Sequence, residues 1–234
     1  MRDGVTPKKY GLKDVSVIYG LDITTELMDK CINQIDKVYY PDSTTNSEEI
    51  KSWVFEHPQF CFVMIDNKTS AVLGYLYCFP LNEETTLEFL RGKKTFKDLK
   101  LDDMDGFIGE GIYNLYIASL GLRKEVHNKD VRRLLFECFI NQSIEFAKRD
   151  MFINYVFMEI ASDFEKEICR LFDIEKLTTN IKNREIFGGL FDLKRFVRLD
   201  NFDAVSAVYD TIHARKILKF RKDYTSIIKA ENKK

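Results

Sequence analysis

Residues 119–139 read SLGLRKEVHNKDVRRLLFECF. An apolar, strand-like run enters this stretch, a long helical pattern leaves it, and a short charged loop joins them. The first turn of a helix carries backbone N–H groups without internal partners and about half a unit of positive charge, so a helix mouth in this position attracts phosphate. Lys129, Arg132 and Arg133 add fixed positive charge. The glycines that let a backbone close around an anion are missing, although Asn128 and Asp130 are the residue types that next best tolerate a left-handed backbone. Two readings stay open. Either the loop holds a diphosphate and the three cations offset Asp130, or Asp130 is the N-cap of the helix and its own carboxylate fills the anion position.

Other chemistry has little support in the residue types. The five cysteines (Cys31, Cys61, Cys78, Cys138, Cys169) are scattered and form no C-x-x-C pair, and His57, His127 and His213 share no ligand spacing with them. No metal site is expected, and free thiols fit a reducing, cytoplasmic setting. No opening signal segment is read, since residues 1–14 are basic and polar without an apolar core. No run approaches the roughly 20 apolar residues of a membrane span. Nothing in the spacing suggests a hydrolytic triad. A net charge of −1 argues against nucleic acid as a partner. The basic residues of the C-terminal segment are interrupted by Asp200, Asp203 and Asp210, and read as solvated helix faces.

The elements that position the loop are read from periodicity. VSVIYGL (15–21) reads as a strand. Thr24 or Thr25 caps a helix over ELMDKCINQIDKVYY, and Ser47 starts a second that stops at Pro58. FCFVMID and AVLGYLYCF, joined by NKTS, form a hairpin. Residues 82–108 are polar, carry one short helix near TTLEFLRG, and read as an insertion or lid. IYNLYIASL (112–120) is an apolar strand, succeeded by the charged loop and a helix over 131–149 with apolar residues on both sides. FINYVFMEIAS is a strand, DFEKEICRLFD a short amphipathic helix, and EIFGGLFDL a closing strand. A helical stretch, FDAVSAVYDTIHARKILKF, and a frayed tail, AENKK, complete the chain. The fold class is mixed α/β: a central mixed twisted sheet flanked by helices, with a hairpin in the first half and βαβ crossovers in the second.

This order, with the loop at 122–130, resembles the GNAT superfamily of acyl-CoA-dependent N-acyltransferases over roughly residues 15–193. The family loop reads Q/R-x-x-G-x-G/A, and alignment on RLL places it on His127-Asn128-Lys129-Asp130-Val131-Arg132, with Asp130 and Arg132 at the glycine positions. The motif is degenerate and the surrounding pattern carries the likeness. The chain is also similar to uncharacterised bacterial members with YYP after the first helix, here Tyr39-Tyr40-Pro41, and YNLY in the central strand, here Tyr113-Asn114-Leu115-Tyr116.

The resemblance implies a GNAT-like domain over 1–193 and a C-terminal helical extension over 194–234. It implies acetyl-CoA, or another acyl-CoA, as co-substrate, bound by Ser119, Leu120, Leu122, His127, Asn128, Lys129, Asp130, Val131, Arg132 and Arg133. A break in the central strand near Ile117–Leu120 supplies the carbonyl donor, and pantetheine pairs with backbone just after it. Glu110 is the candidate base for the amine, with Glu159 as a further carboxylate whose strand position is explained by an outward-facing side chain. Cys169 takes the place of the tyrosine that protonates the leaving thiolate. The implied activity is direct transfer of an acetyl group to a primary amine of a small molecule, peptide or protein. The alternative is a catalytically impaired scaffold that binds a regulatory partner. The two-sided apolar helix and the C-terminal extension leave room for a homodimer.

Overall fold

The computed structural model describes residues 10–39, 47–126, 128–160, 163–171, 174–191 and 222–232. Among these, seven strands form one mixed sheet in the order β1-β2-β3-β4-β5-β7-β6. They are β1 (Val15–Tyr19), β2 (Cys61–Asp66), β3 (Val72–Leu81), β4 (Gly111–Leu122), β5 (Met151–Glu159), β6 (Glu175–Thr179) and β7 (Glu185–Leu190). The helices are α1 (Thr25–Cys31), α2 (Lys37–Tyr39), α3 (Ser47–Glu56), α4 (Glu83–Leu90), α5 (Lys129–Ala147), α6 (Asp163–Leu171) and α7 (Tyr224–Glu231). Contacts divide the chain into two compact units, 1–77 with 119–139 and 78–118 with 140–234.

The first unit is built around the hairpin. Asp66 turns the chain by accepting the Lys68 amide on its side chain, Ser70 adopts a φ of 54°, and the Asp66 amide reaches Ala71 O at 2.9 Å. The central run of β3 is buried throughout, as a continuous apolar run in mid-sheet requires. Thr24 caps α1 through its hydroxyl, which accepts the Leu27 amide at 3.2 Å. That helix buries Leu27, Met28 and Cys31. It does not continue as a plain α-helix: Ile32–Asp36 form a π-helical turn before α2. A π turn admits an extra residue and rotates the next helical turn about the axis. Ile35 is fully buried there, and both Gln34 and Asp36 reach sheet residues. Further along, Phe60 packs on Phe139 of α5, ring centroids 5.4 Å apart.

The second unit holds the other end of the sheet. β4 and β5 run parallel from Gly111↔Met151 to Ile117↔Met158, with a register shift after Tyr113. Phe89, Tyr116 and Phe157 form an aromatic cluster, with centroid separations of 4.6 to 5.7 Å. Residues 82–108 belong to this core. Phe89 and Leu90 are fully buried, and Met104 bridges Leu81. The segment expected as an insertion or lid is therefore a packed part of its unit. Glu159 is buried, against the outward-facing expectation, because it has partners: Arg184 Nη1 donates to it at 3.1 Å and the Phe96 amide at 3.3 Å. The tail also differs from its expected frayed state. Ala230 and Glu231 close α7, whose Tyr224 and Ile228 are buried. The boundary expected at 193/194 and the helical stretch over 202–220 lie outside the described residues.

Candidate active site

The end of β4, the loop after it and the first turns of α5 all belong to the first unit. β4 is continuous to Leu122, so the strand break expected near Ile117–Leu120 is absent. Instead its ladder with β5 stops at Ile117 and the strand runs on. Leu120 and Leu122 are buried and Ser119 is half-buried. Arg123 closes the strand by donating its amide to Leu73 O at 2.9 Å, and Val126 turns back onto Arg123 O at 3.1 Å.

Asn128, rather than Asp130, is the N-cap. Its side-chain oxygen accepts the Asp130 amide at 2.9 Å, its backbone oxygen accepts the Arg132 amide at 3.0 Å, and its side-chain nitrogen donates to Tyr10 O. Asp130 is thereby freed from capping and stands exposed in the first helical turn with Lys129. No residue from 128 to 133 has a positive φ, so the glycines of the family loop are not needed for backbone conformation here. Among the described residues the amides of Lys129 and Val131 have no acceptor. His127 lies outside the described residues.

Two guanidinium groups of this segment, Arg123 before the turn and Arg133 within the helix, each leave one donor unpaired. Arg123 donates Nη2 to Gln34 at 2.7 Å, yet its Nε–H is buried without an acceptor. The Nε–H of Arg133 is likewise buried without an acceptor. A buried donor left unpaired costs about 1–3 kcal/mol.

The residues expected to do the proton chemistry are placed less favourably. Glu110 is exposed just before Gly111, at the opposite end of β4 from Ser119, Leu120 and Leu122. Strands advance about 3.3 Å per residue, which puts its carboxylate out of reach of a carbonyl seated at the far end. Cys169 is buried on α6, and burial pushes its thiol up to about 12. That makes it a weaker acid than an ordinary thiol at about 8.5, and suits packing rather than proton donation.

A second constellation leaves little trace in the sequence. Asp36, at the end of the π turn, accepts a hydrogen bond from the Tyr75 hydroxyl, which lies 3.0 Å from Ser119 Oγ. Beside it Tyr77 donates to Cys31 Sγ at 3.3 Å, and the two tyrosine rings stack 4.8 Å apart. Burial raises Asp36 to about 6, partly offset by the Tyr75 hydrogen bond. Burial also raises both tyrosines well above their ordinary value and Cys31 to about 12. Tyr75 and Tyr77 stand two apart on one face of a strand, which is a legible signal. Asp36 carries none, because the π turn that brings it there leaves no mark in the residue pattern.

No protein-family model matches the chain, and no curated protein sequence matches it. Solved structures do. The chain is similar to GphF, a GNAT-like decarboxylase in complex with isobutyryl-CoA, at TM-score 0.47 and 16% identity over 66% of this chain and 71% of that one. It is similar to Naa50 of Arabidopsis thaliana in complex with a CoA bisubstrate analogue, at TM-score 0.46 and 12% identity over 75% and 96%. It is similar to the loading GNATL domain of CurA from Lyngbya majuscula, at TM-score 0.47 and 14% identity over 80% and 83%. Among the described residues no helix is long and apolar enough to cross a membrane.

Proposed function

We propose that the chain is an acetyl-CoA-dependent N-acetyltransferase that passes the acetyl group directly to a primary amine of a small molecule, peptide or protein. The observation that carries this reading is where β4 delivers the chain. The strand outruns its ladder with β5 and leads to a helix mouth whose Lys129 and Val131 amides have no acceptor among the described residues. These groups fit a diphosphate: the amides of Lys129 and Val131 hold it, and Lys129, Arg132 and Arg133 add charge. Asp130 is exposed, so water screens its repulsion.

Acetyl-CoA supplies a thioester whose carbonyl carbon is open to attack by an amine. Ser119, Leu120 and Leu122 offer backbone groups along the strand segment beyond the ladder, where an extended arm of the co-substrate pairs with them. A backbone N–H in this segment donates to the carbonyl oxygen as negative charge grows there. Solvent protonates the leaving thiolate, since Cys169 holds its proton too firmly.

A scaffold without catalysis is the second reading, favoured by the exposed carboxylate of Asp130 in the anion turn and by the absence of a competent acid at Cys169. Thermal melting with millimolar acetyl-CoA, and then thiol-reagent detection of released CoA over an amine panel, separates the two. The enzyme reading expects a melting shift, because a ligand at about 100 times its Kd adds about 2.7 kcal/mol, together with CoA release for at least one amine. No shift at any concentration favours the scaffold.

A further inference from the structure

We propose that Ser119 Oγ is the group that receives an N–H of the acceptor amine, and that the released proton passes through Tyr75 to Asp36. The inference rests on the acyl-transfer reading above. Its evidence is the direction of the hydrogen bonds. A carboxylate only accepts, so Tyr75 donates to Asp36, and the Tyr75 oxygen is then left to accept from Ser119. Ser119 thus spends its only proton inward, and its lone pairs are left for a donor from outside. It is half-buried rather than sealed, and it sits on the part of β4 beyond the ladder with β5.

The groups around the chain leave Asp36 as its end. It has no cationic partner among the described residues and no acceptor role beyond Tyr75. Tyr75 of β3 donates to it and Cys31 of α1 feels its charge, while Ser119 of β4 and Tyr77 of β3 stand one hydrogen bond further on, at Tyr75 and Cys31. Arg123 is bound to Gln34. Tyr75, Tyr77 and Cys31 keep their protons at neutral pH, since burial raises all three. Asp36 alone titrates in the working range. Packing fixes the geometry. A Cβ on Gly121 would lie 2.6 Å from the Tyr75 ring and 2.7 Å from Ile35, so strand and helix meet there with no space for the ring to swing.

The step balances. The amine nitrogen forms its bond to the thioester carbon, and the carbon–sulfur bond breaks with its electron pair leaving on the thiolate. The nitrogen gives one proton to Ser119 Oγ, the Ser119 proton moves to the Tyr75 oxygen, and the Tyr75 proton moves to the Asp36 carboxylate. Ser119 touches the substrate; Tyr75 and Asp36 act through it.

The test uses Asp36→Asn, which still accepts from Tyr75 but holds no proton, with Ser119→Thr as the conservative variant and Tyr75→Phe as a second break in the chain. Acetyl-CoA melting shifts are measured first, then CoA release between pH 5 and 9 with spermidine, tyramine, lysine and a tripeptide bearing a free N-terminus. The wild type is expected to gain rate through a transition near pH 6. Asp36→Asn and Tyr75→Phe are expected to lose that transition and about 100-fold in kcat, with the acetyl-CoA shift and KM unchanged. Ser119→Thr is expected to keep the transition. An active wild type whose transition survives in both Asp36→Asn and Tyr75→Phe overturns the relay alone. A wild type with neither a melting shift nor CoA release overturns the acyl-transfer reading and the relay with it.

Discussion

Asp36 makes the sharpest statement at the scale of single residues, because it has a cost that depends on pH. Its folded value of about 6 lies above the ordinary 3.8, so the folded chain binds this proton more tightly than the unfolded chain. Stability therefore falls as pH rises from about 4 to about 6, and the full cost stays in force above that window. The shift corresponds to a cost on the order of 3 kcal/mol. Asp36→Asn, which keeps the Tyr75 hydrogen bond, should raise the melting temperature at pH 8 by about 6–12 °C and leave it nearly unchanged at pH 4. Thermal melts at the two pH values check this, and an equal gain at both would assign the effect to packing instead. Asp130 predicts the opposite trade. It sits in the first turn of α5, where a carboxylate favours the helix by about 0.3–1 kcal/mol while repelling a bound anion. Asp130→Asn should lower the Kd for acetyl-CoA several-fold, read by calorimetry, at a small loss of stability. A weaker affinity would count against the diphosphate seat.

Among the elements, the strand–loop–helix unit of β4 and α5 is open to sequence reading, and so is the hairpin of β2 and β3. Each joins two strong periodic runs through a short polar turn. β6 escapes that reading for a physical reason. Its residues EKLTT offer little apolar alternation, and Glu175 and Lys176 are exposed on the sheet's edge, so its strand character comes from pairing with β7 rather than from its own pattern. The π turn between α1 and α2 escapes for the same kind of reason: Ile32–Asp36 read as ordinary helix. What holds that turn to the sheet is a close approach that only glycine permits. Gly121→Ala forces a methyl group against the Tyr75 ring and Ile35, both inflexible neighbours in a packed core. We expect a loss of about 1–3 kcal/mol in denaturant titrations, with an unchanged m-value. A neutral result would mean that helix and strand part easily, and that Tyr75 is not held in register with Ser119.

For the molecule as a whole, the site is half legible. The helix mouth at residues 128–133 can be placed from charge and periodicity alone, but Asp36, Tyr75 and Ser119 come from three elements far apart in sequence, and no local pattern announces their meeting. The end of the chain is hidden similarly, because its value lies in distant partners. Asn114 donates to the Tyr224 hydroxyl at 3.1 Å, Asn154 donates to Lys222 O at 3.1 Å, and the Tyr155 and Thr225 hydroxyls lie 2.6 Å apart. These groups sit on β4 and β5 in the second unit, and Asn114 and Asn154 are buried. Removal of residues 222–234 therefore does more than shorten a tail. It takes away the burial of Tyr224 and Ile228, about 2–3 kcal/mol each, and removes one hydrogen-bond partner each from Asn114 and Asn154, whose side chains keep only their mutual bond among the described residues, at the middle of the sheet. The truncated chain should melt about 10 °C or more below the full one, since 1 kcal/mol moves a chain of this size by about 2–4 °C. Tyr224→Phe, which keeps the ring and removes only the hydroxyl, should recover most of that loss. If truncation instead left the melting temperature where it was, α7 would be resting on the sheet without holding it, and the buried asparagines would need another explanation.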